Sequence, residues 1–201
     1  MPRTSYHHGD LRTAAIREGF AVAETAGLEA IVAREIARSV GVSPAAVFRH
    51  FPDLEHLKAE VSRSAREKLA RLMLRDLEAF GNGPLTAELA RQRFERIGRR
   101  YVEFAVSSPH LFNAAFSNCG ASPAREDDPS PWNILLETIH DLVATGVIAK
   151  ADAELAPVAA WTAVHGMATL YTQGLKRVSG FDDDPADTVI KLIRRMLYTD
   201  S

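Results

Sequence analysis

Eighteen residues constrain this chain more than any other stretch: Arg34 to Phe51, R-E-I-A-R-S-V-G-V-S-P-A-A-V-F-R-H-F. They describe two short helices meeting at a sharp turn, the unit that carries a helix into the DNA major groove. Ile36, Ala37 and Val40 fall at helical spacing and give the first helix one apolar face. Gly41 stops it, because glycine tolerates the left-handed backbone that commonly ends a helix. Val42 plugs the turn. Ser43-Pro44 then starts the second helix: a side-chain oxygen to cap free N–H groups, followed by a residue whose φ is already helical. Val47 and Phe51 share one face of that helix, leaving Ala45, Ala46, Arg49 and His50 to face outward. A generic helical hairpin shares the apolar pattern; the Gly-Val-Ser-Pro turn is more specific.

The rest of the 201 residues narrows the class. Strand-like alternation is scarce and helical periodicity recurs, which predicts an all-α fold of about nine helices. The formal charge of −2 does not by itself suggest a nucleic-acid partner. Residues 1–52 hold six basic and five acidic groups, and residues 53–201 hold 18 and 21, a small asymmetry in the direction DNA binding requires. Cys119 is the sole cysteine, which excludes an intrachain disulfide and fits a reducing compartment such as the cytoplasm. It reads either as a redox sensor or as a small packed residue. Met1 to Asp10 is polar and carries no signal core. Residues 155–175 lack formal charge, but Pro157, His165, Gln173 and several threonines and glycines make them a soluble helix buried on both sides rather than a membrane span.

Punctuation along the chain places the elements. Asp10 caps a helix through Ile16, Phe20 and Val22-Ala23 to Ala26, ended by Gly27. After the helix pair at 33–51, Asp53 caps a long polar helix to about Phe80. Further helices are expected at 85–106, 110–117, 132–145, 152–174 and 185–198, with a proline-rich acidic loop from Gly120 to Pro131. This predicts a three-helix helix-turn-helix domain over 1–52 and a second helical domain over 53–201.

The first sixty residues resemble the DNA-binding domain of the TetR family of one-component transcriptional repressors. The matching pieces are Tyr6-His7-His8-Gly9-Asp10-Leu11, Ala26-Gly27-Leu28, Arg34-Glu35-Ile36-Ala37, Gly41-Val42-Ser43 and Arg49-His50-Phe51. Trp161-x-x-x-His165-Gly166 is similar to the signature of the WHG-type regulatory domain of that family. Three positions depart from the family pattern. Phe48 stands where Tyr is usual, Leu54 where Lys is common, and Val32-Ala33 where a threonine usually caps the second helix. These changes remove phosphate contacts rather than base contacts, so they bear on affinity.

The resemblance implies a homodimer that grips a double-stranded, palindromic operator and is released by a small molecule. It needs no cofactor and no enzymatic activity. The competing reading is an all-α carrier or enzyme with a non-functional helix-turn-helix, but no nucleophile–base pair or phosphate loop appears. For DNA binding the candidates are Arg3, Arg34, Ser43, Pro44, Ala45, Ala46, Phe48, Arg49 and His50. Arg34 reaches a guanine edge or a phosphate, or else pairs with a neighbouring Glu. Ser43 caps the helix and can touch phosphate. The two alanines offer methyl groups to thymine, the Phe48 ring packs, and His50 is expected at phosphate. Arg3, with His7 and His8, forms an arm for a backbone or minor groove. No Cys or acidic partner completes a metal site there, and Glu137-x-x-His140 is an isolated pair, so no metal is expected.

In the uncharged helix, Ala159, Ala163, Gly166 and Leu170 fall on one face, and Trp161, His165, Ala168 and Thr172 on the opposite one. The small face suits close approach by a partner helix, joined by Val189, Ile193 and Met196 of the last helix in a four-helix dimer interface. The alternative buries both faces within one subunit. Trp161 and His165, with Phe104, Phe112, Phe116 and Trp132, line an effector pocket or simply form core.

Overall fold

The computed structural model describes residues 8–81, 83–117, 128–174 and 184–199. Arg3, His7, Cys119 and most of the acidic loop lie outside them. Among the described residues the structure is all helix: α1 (His8–Ala26), α2 (Ala33–Ser39), α3 (Pro44–Phe48), α4 (Leu54–Glu78), α5 (Ala87–Ser107), α6 (Pro109–Phe116), α7 (Pro131–Ala144), α8 (Ala156–Thr172) and α9 (Pro185–Leu197), with 3₁₀ turns at Leu28–Ala30 and Lys150–Asp152. None of these helices is long and apolar enough to cross a membrane.

The chain forms two compact units, Met1–Arg66 with His110–Asp128, and Glu67–Pro109 with Pro129–Ser201. Helix α4 contributes to both units, and α6 belongs with the helix-turn-helix.

In the first unit, α1 begins at His8, so Asp10 lies inside the helix rather than capping it. Its core face is Leu11, Ala14, Ala15 and Ala23, one step round from the expected Ile16 and Phe20, which are half-buried. The reason is steric. A Cβ on Gly19 would lie 2.9 Å from Val61 Cγ2, so small residues let α1 and α4 meet closely. Asp53 caps α4 as expected, its Oδ1 accepting from the His56 N–H at 2.9 Å. Lys58, nearly buried, pairs with Glu29 at 3.1 Å and Glu55 at 3.2 Å. The carbonyl of Ala115 at the end of α6 accepts from Arg66 at 2.7 Å and from the Ser62 hydroxyl at 3.4 Å, tying α6 to α4 within this unit.

In the second unit α5 is central, packing on α7, α8 and α9, while α8 also touches α7 and α9. Its buried stripe is Ala90, Phe94, Ile97, Tyr101, Val102 and Ala105. The charged side of α5 is used as fasteners. Asp76 receives Arg96 at 2.8 Å and Arg100 at 2.7 Å, Arg93 meets Asp141 at 2.9 Å, and Arg99 and Arg194 engage Asp187 and Glu95. Helix α8 starts four residues later than expected, because Pro157 lacks an N–H and is accommodated in a first turn but not in a helix interior.

Candidate nucleic-acid interface and small-molecule cavity

The helix-turn-helix is built by four local devices. Gly41 has φ +75°, and the Val42 N–H returns to the Ala37 carbonyl at 2.9 Å, closing α2. Ser43 Oγ accepts from the Ala46 N–H at 3.3 Å, and Pro44 opens α3. Ile36, Ala37, Val47 and Phe51 are buried together as the core of the motif. Arg12 lies over the Phe51 ring, 5.4 Å from its centre, and binds Glu60 at 2.9 Å.

The remaining surface of α3 is what a ligand can touch. Pro44, Ala45, Phe48 and Arg49 are exposed, Phe48 at 44%, and His50 is half-buried. Ala46 departs from expectation: it is 7% exposed and faces inward. In a five-residue helix packed on α2, the position beside Val47 falls on the buried arc. Ala46 therefore presents little surface to a groove. The Ser43 hydroxyl accepts the capping bond and keeps its O–H to donate, so one group can serve cap and phosphate. Glu35 sits between Arg34, at 3.5 Å, and Arg38. Both arginine side chains are at least 80% exposed. Such pairs hold weakly in water, and a phosphate can compete for either guanidinium.

The six residues expected in an effector pocket are divided between the two units. Phe112 and Phe116 pack on each other, ring centres 5.2 Å apart, in the first unit. Phe104 is buried in the second unit but does not line its cavity. Trp132, Trp161 and His165 do come together: Trp161 meets Trp132 edge-on at 5.5 Å and stacks on His165 at 6.2 Å. Tyr101 completes the cluster, 5.2 Å from Trp161 and hydrogen-bonded through its hydroxyl to His165 Nδ1 at 2.8 Å. Burial pushes the phenol far above its ordinary range and the imidazole below its own, so both are neutral near pH 7.

Beside this cluster lies a cavity of about 20 Å³ walled by Met73, Phe94, Ile97, Gly98, Tyr101, Leu135, Trp161 and Val164, among others. Of the expected residues only Trp161 lines it. Tyr101, Phe94 and Gly98 sit on α5, where i, i+4, i+7 spacing marks a core face but not a cavity wall.

The expected interface residues also separate. Ala159, Ala163 and Gly166 are half-buried and Leu170 is 51% exposed, all on the open side of α8 with Leu155 and Val158. A Cβ on Gly166 would meet nothing within 4 Å. Val189 and Ile193, by contrast, are buried inside the chain. One step round α9, Leu192 and Met196 are the exposed apolar positions.

A helix-turn-helix followed by a second, aromatic-cored helical unit defines the class: a DNA-binding regulator with a separate C-terminal helical unit. The chain belongs to the TetR family: the profile described as "Bacterial regulatory proteins, tetR family" matches residues 15–61, and that of the "Tetracyclin repressor-like, C-terminal domain" matches residues 94–196. A solved protein of unknown function from Rhodococcus sp. RHA1 is 26% identical, with 98% of this chain and 100% of that one covered and a TM-score of 0.73. A TetR family transcription regulator from Marinobacter aquaeolei VT8 is 17% identical over 94% and 95% of the two chains, TM-score 0.63. RolR, solved with resorcinol, is 14% identical over 95% and 89%, TM-score 0.68. These last two share the fold. No curated protein gives a significant match.

Proposed function

We propose that this transcription regulator is a cytoplasmic, non-enzymatic repressor that binds a palindromic operator as a homodimer and lets go when a small molecule enters the second unit. The observation that carries the DNA-binding part is the built turn: Gly41 and the Ser43 cap aim a short helix whose exposed side is Pro44, Ala45, Phe48 and Arg49. Arg34, Ser43 and His50, with the Arg3 arm, supply backbone contacts in this reading. Few hydrogen-bond donors face the groove, so DNA shape contributes to recognition.

Dimerisation is supported by the open apolar side of α8 and α9, Leu155, Val158, Leu170, Leu192 and Met196, with Gly166 leaving room for a partner helix. Two-fold symmetry then demands two half-sites about one helical turn apart. Helix α4 is the lever, since Met73 lines the cavity and the same helix runs back to its Asp53 cap beside the reading head. An effector that favours a wrongly spaced dimer lowers DNA affinity. The functional division in this reading falls at 52/53, between reading and regulatory parts. The test is a footprint on DNA flanking the protein's own gene. A protected palindrome is expected; uniform, sequence-independent binding or none overturns the proposal.

A further inference from the structure

From the chemistry of the cavity wall in the second unit, we infer that the effector is an uncharged, largely apolar molecule carrying at most one or two polar groups. This inference rests on the regulatory reading above. Among the described residues that line it, only Tyr101 and Trp161 carry a polar side-chain atom; the others are hydrocarbon, thioether or glycine. None is charged near neutral pH.

The arginines of α5 nearest in sequence to the wall are committed elsewhere, Arg93 to Asp141, Arg96 and Arg100 to Asp76, and Arg99 to Asp187. An anion entering the cavity would lose its hydration and find no counter-charge among these walls, and a cation would find no carboxylate. A neutral ring system loses little and gains contact with Phe94, Tyr101 and Trp161. The Tyr101 hydroxyl is held by His165 Nδ1 at 2.8 Å, so what this residue gives the guest is the face of its ring.

Size adds a second condition. About 20 Å³ holds roughly one water, so a ring-sized guest must displace a wall residue. Met73 is suited to that: unbranched and with three rotatable bonds, it can swing aside where Ile97 and Val164 cannot. The wall also includes Gly98, where an added Cβ would come within 2.9 Å of Ile190 Cδ1, so α5 has no side chain to remove there.

The experiment uses two probes of one skeleton, neutral N-phenyl-1-naphthylamine and its anionic sulfonate 1-anilinonaphthalene-8-sulfonate, with the full-length protein. Saturable binding of the neutral probe is expected, one per protomer, at least tenfold tighter than the sulfonate and with quenching of tryptophan emission. Ala160→Leu, which fills the cavity from α8, abolishes it. Should that variant fail to fold, Leu135→Phe fills the same space from α7. Equal or tighter binding of the sulfonate, no binding of the neutral probe, or neutral-probe binding that survives in a folded cavity-filled variant overturns the inference. A protein that still protects its own upstream DNA while failing these tests loses only this inference; one that binds the neutral probe but no specific DNA loses the repressor reading instead.

Discussion

The Tyr101 hydroxyl and His165 Nδ1, 64 residues apart in sequence and 2.8 Å apart in space, tie α5 to α8 at the edge of the aromatic cluster. Tyr101→Phe keeps the ring and removes the bond. A loss of about 1 kcal/mol is expected, a Tm fall of roughly 2–4 °C for a chain of this size. Because the two residues share one interaction, Tyr101→Phe and His165→Phe should be non-additive. A double-mutant cycle in urea with a coupling energy near zero would show the bond contributes nothing.

The same histidine makes stability depend on pH in a defined direction. Burial holds its folded pKa below the ordinary 6.5, so in the folded protein the ring resists protonation while the unfolded chain accepts a proton. The unfolded state then binds more protons as the pH falls. Stability contributed by neutral His165 is full above pH 6.5 and declines as the pH drops through 6.5 toward the lower folded value. Urea midpoints measured between pH 8 and 5 should fall less steeply for His165→Gln than for the parent.

Ser43 caps a helix of only five residues, where one lost cap matters more than in a long one. Ser43→Ala should destabilise by about 1 kcal/mol and weaken operator binding further than that loss explains. Restoring the hydroxyl with Thr should recover most of both. Conversely, Phe48 is exposed enough to carry an added hydroxyl. Phe48→Tyr should tighten DNA binding several-fold and steepen its salt dependence, as one more phosphate contact would.

Two glycines predict opposite outcomes. At Gly19 a methyl would stand 2.9 Å from Val61 Cγ2, on a β-branched side chain with little freedom to turn. Gly19→Ala should therefore destabilise by about 1 kcal/mol net, overpacking outweighing the helix propensity it adds. At Gly166 nothing stands within 4 Å in one chain. Gly166→Leu should leave the fold intact and weaken the proposed dimer, as should Ala163→Arg. Analytical ultracentrifugation reads this directly, and a fully dimeric Ala163→Arg protein would move the interface elsewhere.

Much of this architecture is legible in the sequence. Gly41, Ser43-Pro44, Asp53 and Gly146 mark helix ends by backbone chemistry that acts within a few residues, and the helices end where those residues stand. What escaped depended on contacts distant in sequence. Burial of Ala46 follows from how tightly α2 and α3 pack, and burial of Val189 and Ile193 from which side of α9 meets α5 and α8. Phe112 and Phe116 belong to the first unit and Trp161 to the second, a division that residue chemistry alone does not mark. Tyr101 was hidden in plain sight, one aromatic on a stripe of core residues.

The inward turn of Ala46 has a consequence for anyone wishing to redirect this protein. With Ala46 and Val47 committed to the motif's own core and Ser43 to the cap, a library aimed at new DNA sequences has few productive positions: 44, 45, 48 and 49. Randomising 46 or 47 would mostly sample proteins that do not fold. The short reading helix thus makes retargeting a small combinatorial problem, whose difficulty lies less in searching sequences than in finding affinity on so narrow a face.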